Sequence, residues 1–559
     1  MDKKAIIAFV IIGLLIIMYP YYLKVIAPPR SEFAPEVAPE QRGVSRDSTK
    51  STEESILSNA LLDEKIEEAE ALFTSDDTLG IKKEIVVDTD LYRARISTLG
   101  GTIQSWQLKF FEGLQGEWVE LVPDKATGAL AIIMNTNAGA IDLSNYVFSC
   151  ETENVLIDRN NPSQSIQMVL QLQNGRRVEK EFTFRQGQYS FELKILIEGF
   201  ENLVPTREYE LIWKPGLMFT EKDVKEDMSK MAVFALMGDA VAKYDFGRKE
   251  QTLERKEDGA TNWVGIRTKY FLMSMISRIE QAKGLMVRGT KRRVHEGKNA
   301  VDIETFETAL RMPLHSNGPT GHNFEIYIGP QDYSLLRKYG VGLEGCMDMG
   351  WALIQPVSRL ILAFFVFLHR FIPNYGLIII IFSIVLKIVF YPLTHKQLEA
   401  TRKMQQLQPQ LAALKEKYKN DPQRLNKETM ALYKKGGANP LGGCFPLLLQ
   451  MPIFFALFSV FRSTIELRRA GFVFWIKDLS VKDPYLVLPI IMAVTMFIQQ
   501  KMTVKDPKQA AMVYLMPAIM FFFFMNFASG LVLYWTVFNV LSIIQQLFIE
   551  RKEAVGSQK

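Results

Sequence analysis

The chain has 559 residues, of which 48% are hydrophobic and 23% are charged, and its formal net charge at pH 7 is +5. Because this charge is small and the basic residues form no long tract, the composition argues against sequence-specific binding of nucleic acid. Apolar residues concentrate in a short N-terminal block and in a long region after about residue 351. These two hydrophobic regions flank a central segment whose composition is typical of a soluble domain.

The first predicted element is a transmembrane anchor over residues 1–26. Lys3 and Lys4 precede an apolar run that reaches about Tyr22, long enough to cross a hydrocarbon core of roughly 30 Å. A cleaved signal peptide is the alternative, but its apolar core would span only about 7 to 15 residues. Pro28 would also directly follow the small-residue cleavage site, where its ring fits poorly into an extended strand. We therefore expect a retained anchor.

A flexible linker is predicted over residues 27–80. This segment is rich in Pro, Glu, Ser and Thr, and it cannot bury enough apolar surface to order itself. A short helix within residues 56–73 is the one regular element expected in it.

From residue 81 to residue 347 the apolar pattern has a period of two, which is typical of strands with one buried face. Two alternating runs are joined by Asn174 and Gly175, and the next turn contains Gly187, so consecutive hairpins are expected. Similar short strands recur at residues 86–108 and 321–330. The pattern predicts a large antiparallel β-sandwich domain.

The C-terminal region contains five further candidate transmembrane spans, at residues 375–393, 439–462, 485–502, 510–527 and 530–548. The loop between the first two carries ten lysines and arginines against four acidic residues, which predicts a cytoplasmic location. If the N-terminus is also cytoplasmic, only one crossing separates the sandwich from this loop. The apolar stretch within residues 348–374 is therefore predicted to be an amphipathic helix in the membrane interface.

The predicted fold class is a polytopic α-helical membrane protein with six transmembrane helices and a large periplasmic β-sandwich. Both termini are expected in the cytoplasm. The five C-terminal spans form a core over residues 375–549, which is followed by a short tail at residues 550–559.

A helical hairpin is predicted within the cytoplasmic loop at residues 394–438. One helical stripe is formed by apolar residues at alternating three- and four-residue spacing, namely Met404, Leu407, Leu411, Leu414 and Tyr418. Asp421 and Pro422 resemble an N-cap and first-turn pair, and Gly436 ends the second helix. The hairpin is either a solvated loop that sets topology or a docking surface formed by Arg402, Lys403, Lys415, Lys417 and Lys419.

Lys387 lies within the apolar span at residues 375–393, roughly 9 Å from its cytoplasmic end. Its side chain could extend to the lipid head groups, which is the simplest interpretation. Other polar residues nevertheless recur in the spans: Ser383, Gln450, Thr495, Thr536, Asn539, Ser542 and Gln546. The last four occupy an arc of about 120° on one helix. Because such stripes are costly in lipid, we infer a polar cavity that opens toward the cytoplasm and contains Lys387.

Histidine and cysteine residues indicate no metal or nucleophile site at this stage. The five histidines are scattered, and none forms a metal or nucleophile constellation with nearby Asp, Glu or Cys; they are His295, His315, His322, His369 and His395. Cys150, Cys346 and Cys444 lack metal-ligand spacing, and a bridge between Cys150 and Cys346 stays open. No metal and no cofactor is therefore predicted.

Several C-terminal stretches resemble the YidC membrane protein insertases of Gram-negative bacteria. They read NPLGGCFPLLLQMPIF, IVLKIVFYPLT, WIKDLSVKDPYLVLP and SGLVLYW, and they occur in unbroken order in a resemblance that covers nearly the whole chain. The resemblance implies a hydrophilic groove that is open to the cytoplasm and the inner leaflet and closed toward the periplasm. Lys387 stands where the family carries an arginine, so the charge is kept while the planar guanidinium is lost.

The resemblance also implies a function without bond chemistry, so the protein is not expected to be an enzyme. It would insert nascent membrane proteins into the inner membrane and help them fold, alone or with the Sec translocon, with weak ribosome binding through the hairpin and tail. Ser383, Tyr534 and Trp535 fall where groove residues of the family meet substrate. With the polar residues above, the expected groove residues are Lys387, Ser383, Gln450, Tyr534, Trp535, Thr536 and Asn539.

Two alternative functions remain at this stage. The sandwich of this family resembles sugar-mutarotase folds, which suggests a membrane-anchored carbohydrate-binding protein, although a fold alone does not transfer function. A simple anchor would need one span rather than five with polar faces. A secondary transporter could also use a polar cavity, but such folds usually contain internal repeats with broken helices, and the sequence has no such symmetry.

Overall fold

The computed structural model describes residues 82–123, 128–137, 139–172, 175–247, 250–296, 299–316, 318–437, 445–503 and 510–556. The predicted anchor and linker lie outside these ranges, as does Cys444. The described residues divide into two compact units: residues 82–348 with 463–465, and residues 349–462 with 466–556.

The first unit is built almost entirely of strands. In chain order these are β1 (Glu84–Asp88), β2 (Tyr92–Ser97), β3 (Thr102–Glu112), β4 (Trp118–Glu120), β5 (Ala129–Thr136), β6 (Gly139–Asp142), β7 (Val155–Leu156), β8 (Ser163–Gln171), β9 (Arg177–Arg185), β10 (Ser190–Glu198), β11 (Glu208–Trp213), β12 (Ala232–Met237), β13 (Ala240–Tyr244), β14 (Thr252–Arg267), β15 (Phe271–Ser277), β16 (Ala282–Glu296), β17 (Asn299–Pro313) and β18 (Thr320–Pro330). Two short helices, α1 (Val224–Met228) and α2 (Tyr333–Lys338), belong to the same unit.

These strands form two sheets. The smaller sheet has the order β4-β3-β2-β1-β7, and the larger has the order β6-β5-β11-β17-β16-β14-β15-β18-β10-β9-β8, with β12 and β13 attached beside β14. Among the described strands only the short pairing of β1 with β7 is parallel. The predicted hairpins are confirmed, since β8 pairs with β9 and β9 with β10, and both Gly175 and Gly187 adopt positive φ at the turns.

Aromatic residues from the two sheets meet in one apolar core. The indole of Trp106 on β3 stacks on Tyr92 with ring centroids 4.0 Å apart, and it lies 5.6 Å from the ring of Phe191 on β10. Its Nε1 donates a hydrogen bond of 3.0 Å to the carbonyl oxygen of Ile328 on β18. Alternating residues of both sheets are thus buried against each other, which confirms the predicted, largely antiparallel sandwich.

Lys180 is a fully buried basic residue in this sandwich. Its Nζ on β9 donates to the carbonyl oxygens of Gly100, Gly101 and Leu130, at 2.7, 3.2 and 2.7 Å. Burial lowers its pKa to about 7, although the charge of Asp142 acts in the opposite direction. The ammonium therefore ties the turn between β2 and β3 to the start of β5.

The cysteines of the described chain are not bridged. Cys150 is partly buried and Cys346 is fully buried, and both are free thiols. Burial raises the pKa of Cys346 to about 12, so this thiol stays protonated and acts as a small core residue.

The second unit is helical. Its helices are α3 (Gln355–His369), α4 (Tyr375–Val389), α5 (Tyr391–Gln406), α6 (Gln408–Lys417), α7 (Pro422–Lys435), α8 (Phe445–Ser463), α9 (Val487–Thr503), α10 (Ala510–Phe524) and α11 (Ser529–Gly556). Helix α11 packs against α4 and α9, α10 packs against α9, and α3 lies against α4. Phe365 on α3 contacts Phe382 on α4 and Phe461 on α8, with ring centroids 5.4 and 6.0 Å apart, so the aromatic core joins three helices.

The loop at residues 466–486 covers one end of this helical unit. The buried carboxylate of Asp483 accepts hydrogen bonds from Trp475 Nε1 at 3.1 Å, from the backbone N–H of Tyr485 at 3.0 Å and from that of Leu488 at 2.7 Å. Because Trp475 and Tyr485 belong to the loop and Leu488 lies in the first turn of α9, Asp483 fixes both the loop and the beginning of that helix.

Two more helices begin at the same loop. Asn374 caps α4 by accepting from the N–H of Leu377, and its side-chain amide donates to the carbonyl oxygen of Phe472 at 3.3 Å. The N–H of Gly530 at the start of α11 donates to Leu479 O at 2.9 Å. The N-terminal ends of α4, α9 and α11 therefore lie together beneath one loop.

The basic loop forms a helical hairpin, as its sequence predicts. Its first arm consists of two helices, α5 and α6, which meet at Leu407 because Pro409 starts a new helix rather than continuing the first. The second arm is α7, where Asp421 caps the helix by accepting from Arg424 N at 3.0 Å and Gly436 ends it. Both predicted ends of α7 are confirmed.

The number of membrane spans stays a prediction. By length and mean hydropathy, one described helical stretch, Ser529–Ile549, is sufficient to cross a bilayer. Four shorter apolar helices accompany it: Gln355–His369, Tyr375–Val389, Val487–Met502 and Val513–Phe524.

Candidate functional site

Lys387 lies on the face of α4 that contacts α11. Its Nζ donates a hydrogen bond of 2.8 Å to Ser542 Oγ and lies 4.5 Å from the centroid of the Phe538 ring. Ser542 Oγ in turn donates to the carbonyl oxygen of Phe538 at 2.7 Å. The ammonium has three donors and one hydrogen-bond acceptor among the described residues, while the aromatic face adds a cation–π contact. A cation is thus held between two helices without a carboxylate partner in the part of the chain described.

Helix α11 has its polar stripe inside and its apolar residues outside. Thr536, Asn539 and Gln546 are buried, whereas Val540 and Ile544 of the same helix are exposed. This distribution is the reverse of a soluble amphipathic helix, and it suits a helix whose outer face meets lipid. The polar stripe that the sequence predicts is thus largely buried within the helical unit, with Ser542 partly buried.

Three polar side-chain atoms of α9 and α11 are buried without a hydrogen-bond partner in the described chain. They are Trp535 Nε1, Asn539 Nδ2 and Gln500 Oε1. Asn539 is only 4% exposed. Since an unpaired polar group in an apolar interior costs roughly 1–3 kcal/mol, these atoms favour any polar group that can bond to them.

Tyr534 and Trp535 lie deeper toward the loop-covered end and serve in packing. Tyr534 is fully buried, and its hydroxyl receives a long hydrogen bond of 3.4 Å from Gln450 Nε2 on α8. The indole of Trp535 lies 5.7 Å from the ring of Phe454 and 5.4 Å from that of Phe524. These contacts join α8, α10 and α11 at one level of the unit.

Ser383 is placed differently from the other polar residues. It is fully buried, and its hydroxyl donates to the carbonyl oxygen of Ile379 at 2.7 Å within the same helix. The hydrogen bond of the Ser383 hydroxyl is therefore satisfied within its own helix rather than by Lys387.

The sequence placed Ser542 in the polar stripe but did not pair it with Lys387, and it did not indicate Phe538 or Gln500. Gln500 could have been noticed as a polar residue in an apolar helix.

The basic residues of the hairpin lie on its surface. Lys403, Lys417 and Lys419 are exposed, and Lys415 is partly buried. Arg402 belongs to α5, and its side chain lies outside the described residues. This arrangement leaves exposed positive charge on the first arm of the hairpin and at the turn between the two arms.

The surface of the helical unit carries many exposed apolar side chains. On α4, α9, α10 and α11 they include Ile384, Val385, Ile388, Val389, Ile490, Ile491, Val494, Ile498, Tyr514, Leu515, Ile519, Phe522, Val540, Ile544, Leu547 and Phe548. So large an apolar surface is unusual for a protein in water and suits contact with a bilayer.

The prediction that the histidines are scattered is wrong for two of them. His315 Nε2 and His322 Nε2 lie 3.1 and 3.2 Å from the same oxygen, Glu280 Oε2, in the sandwich unit. Burial lowers the pKa of His322, although the charge of Glu280 acts against this shift. The sequence hides this cluster because its members are up to 42 residues apart and meet only through strand pairing.

Two family models match the chain. The model described as "YidC periplasmic domain" matches residues 84–360, and the one described as "60Kd inner membrane protein" matches residues 367–556. The boundary between them falls near the boundary between the two compact units.

Relatives match over nearly the full length. A protein of Chlorobaculum parvum named "Membrane protein insertase YidC" is 35% identical, with 98% of this chain and 94% of the relative covered. One of the same name from Chloroherpeton thalassium is 33% identical, with 99% and 96% covered. Among solved structures, "Active YidC insertase crystal structure with the first transmembrane domain resolved" aligns with 89% of this chain and 96% of its own, at 20% identity and a TM-score of 0.37.

Proposed function

The chain belongs to the YidC family of membrane protein insertases, and we propose that it inserts nascent membrane proteins along the polar face of α11 beside Lys387. It is a membrane protein with a periplasmic domain, and its family assists insertion without breaking or forming bonds.

The observation that carries the proposal is the pairing of Lys387 with Ser542 on a buried polar face. A polar segment of a client must cross the apolar core, where a charged side chain costs roughly 2.5–3.5 kcal/mol at the centre. Asn539 and Lys387 offer hydrogen-bond donors within that core. Acidic or carbonyl oxygen atoms of the client would bind these donors, which lowers the barrier to crossing.

The loop-covered end gives the proposed path its direction. Ser542 lies 12 residues from Gly530, so the Lys387 contact lies about 18 Å from that end of α11. In a hydrocarbon core of about 30 Å, a polar face that begins on the opposite side would reach part of the way across. The client then has a shorter apolar distance to cross, and its apolar residues move out into lipid, where their burial drives release.

The topology that fits this direction has six spans. Residues 1–26 would cross first, residues 27–80 would link them to the periplasmic sandwich at 81–347, and α3 would lie in the interface within residues 348–374. The remaining five spans would form the core at residues 375–549, with the hairpin at 394–438, the tail at 550–559 and both termini in the cytoplasm. The basic hairpin supports this orientation.

The hairpin residues Arg402, Lys403, Lys415, Lys417 and Lys419 are proposed as the docking surface for incoming clients. Their positive charge suits acidic segments and the ribosome, although the short tail carries few basic residues and should add little. Larger clients would be handled together with the Sec translocon. The bilayer itself is the partner of the exposed apolar surface.

The test is insertion of a small membrane protein with a short acidic tail into proteoliposomes that contain the purified protein. Protease protection of the translocated tail measures insertion. We expect protection well above that of empty liposomes. If correctly oriented, folded protein gives no more protection than empty liposomes, autonomous insertion is wrong, and a chaperone acting only beside the Sec translocon becomes the better explanation.

A further inference from the structure

We propose that Glu280, His315 and His322 form a binding site for a divalent transition-metal ion, with zinc the best fit, in the β-sandwich. Their candidate ligand atoms, one from each residue, all lie within 4.8 Å of one another. Two imidazoles and one carboxylate are a recognised set of zinc ligands, and such sites leave a fourth position for water. The inference does not depend on the proposed insertase function.

The three residues come from one strand and two turns that the fold brings together. His322 lies on β18, where it pairs with Ile195 of β10. Glu280 is in the turn between β15 and β16, and the N–H of Arg278 in that turn donates to Asn323 O at 3.0 Å, beside His322. The N–H of His315 donates to Thr320 Oγ1 at 2.9 Å, which closes the connection between β17 and β18. Strand pairing thus holds both turns against His322.

The distances suit a tetrahedral ion. Zinc binds imidazole nitrogen and carboxylate oxygen at about 2.0–2.2 Å, so two ligand atoms of a tetrahedral site are about 3.4 Å apart. The distances from Glu280 Oε2 to His315 Nε2 and to His322 Nε2 are 3.1 and 3.2 Å, close to this value. Small side-chain rotations would suffice to admit the ion.

Tyr209 orients the buried ligand. The side chain of His322 is only 1% exposed, and its Nδ1 lies 3.0 Å from the hydroxyl of Tyr209. If Nδ1 carries the proton and donates it to this oxygen, the lone pair of Nε2 points at the site. Metal-binding histidines commonly have such a partner, which fixes the tautomer and the ring orientation. Tyr209 is therefore a positioning residue rather than a ligand.

The site is open to solvent on one side. The side chains of Glu280 and His315 are 40% and 47% exposed, so an ion can enter and a water molecule can complete its coordination. One carboxylate would leave the site with a net charge of about +1, which is acceptable at a wet edge. We expect the ion to act as a structural link that joins the two turns to β18.

The experiment uses the full-length protein in detergent, purified without a polyhistidine tag and stripped with a chelator. Titration with Co²⁺ reports geometry through its visible absorption, and competition with Zn²⁺ then gives the zinc affinity. We expect one equivalent of tetrahedral Co²⁺, which Zn²⁺ displaces. Zinc should also raise the melting temperature of the sandwich, because it binds only the folded state.

The variants separate this site from nonspecific binding. His315→Ala and Glu280→Gln should weaken binding at least tenfold, and Tyr209→Phe should weaken it roughly tenfold by releasing His322. His395→Ala is the matched control. The side chain of His395 is 40% exposed and lies 3.3 Å from the carboxylate of Glu399, but no third ligand accompanies this pair among the described residues. It should bind as the wild type does.

The proposal is overturned if the wild type binds no stoichiometric metal, or if Glu280→Gln and His315→Ala bind as tightly as the wild type. Equal loss in His395→Ala would also overturn it, because binding would then not depend on the three-residue cluster. Melting temperatures measured in chelator show whether each variant is folded. Should Glu280→Gln fail to fold, the exposed His315→Ala still decides the question.

Discussion

The ammonium of Lys387 lies 2.8 Å from the hydroxyl of Ser542, and this hydrogen bond joins α4 to α11 in the middle of a buried polar face. The two residues are 155 positions apart in the chain. Serine is a neutral partner, so the positive charge of Lys387 is not cancelled by a carboxylate among the described residues. A charge held in this way can attract an acidic group of a client without first breaking an ion pair.

The sign of the charge at position 387 should decide how well acidic clients are inserted. Lys387→Arg keeps the charge and should retain most activity, whereas Lys387→Glu should reduce insertion of a client with an acidic tail about tenfold or more, because it replaces attraction with repulsion. Protease protection in proteoliposomes measures both. Insertion of a client with a neutral tail is the control, and it should differ much less between the two variants. Equal activity of the two variants toward the acidic client would contradict the electrostatic role.

Substitution of Asn539 by an apolar residue should raise the stability of the helical unit but lower insertion activity. Its Nδ2 is buried without a partner among the described residues, so Asn539→Leu should stabilise the helical unit by about 1–2 kcal/mol and reduce insertion severalfold. Thermal unfolding in detergent and protease protection report the two effects. Ser383→Ala is the control, because the Ser383 hydroxyl bonds within its own helix. Loss of stability in Asn539→Leu, or unchanged insertion, would show that the unpaired amide has no such role.

Lys180 should make the stability of the sandwich rise with pH. Its pKa is about 7 in the folded state and near 10.5 when unfolded, so between these values the unfolded chain binds a proton that the native domain does not. Stability should therefore increase from about pH 7 upward, by at most about 1.4 kcal/mol per pH unit. The three carbonyl acceptors favour the ammonium, so they oppose the lowering of the pKa by burial.

The comparison of wild type with Lys180→Met isolates this effect. The variant cannot titrate at this position and leaves three buried carbonyl oxygens without their donor, so it should melt at a lower temperature at every pH. The difference in melting temperature between the two proteins, measured by tryptophan fluorescence from about pH 6.5 to 9.5, should widen as pH rises. A constant difference would mean that Lys180 does not titrate in this range.

Asp483 should be essential for the loop at the covered end of the helical unit. Asp483→Ala removes the acceptor for Trp475 Nε1 and for two backbone N–H groups, and we expect a loss of about 2–4 kcal/mol in the stability of this unit. Asp478→Ala is the control in the same loop, since Ser480 is the one partner of the Asp478 carboxylate among the described residues, and Asp478 is less buried. Equal effects of the two substitutions on thermal unfolding would contradict this assignment.

Local pattern predicted several elements of this protein correctly. A period of two predicted the paired strands around Gly175 and Gly187, Asp421 predicted the start of α7, and the spacing of Thr536, Asn539 and Gln546 predicted a polar stripe. Each of these signals lies within a few residues, where dihedral preferences and side-chain periodicity act directly. The resemblance of the C-terminal motifs also identified the family correctly.

Only the tertiary structure decided which distant residues meet. Ser383 shares a helix face with Lys387 in sequence, yet its hydroxyl bonds to the backbone of its own helix, while Ser542 supplies the partner of Lys387. Glu280 and His322 meet because the turn after β15 runs beside β18, a matter of strand register. Strand register and helix packing depend on the burial of whole faces. The pattern of one segment therefore does not predict which distant residue packs against it.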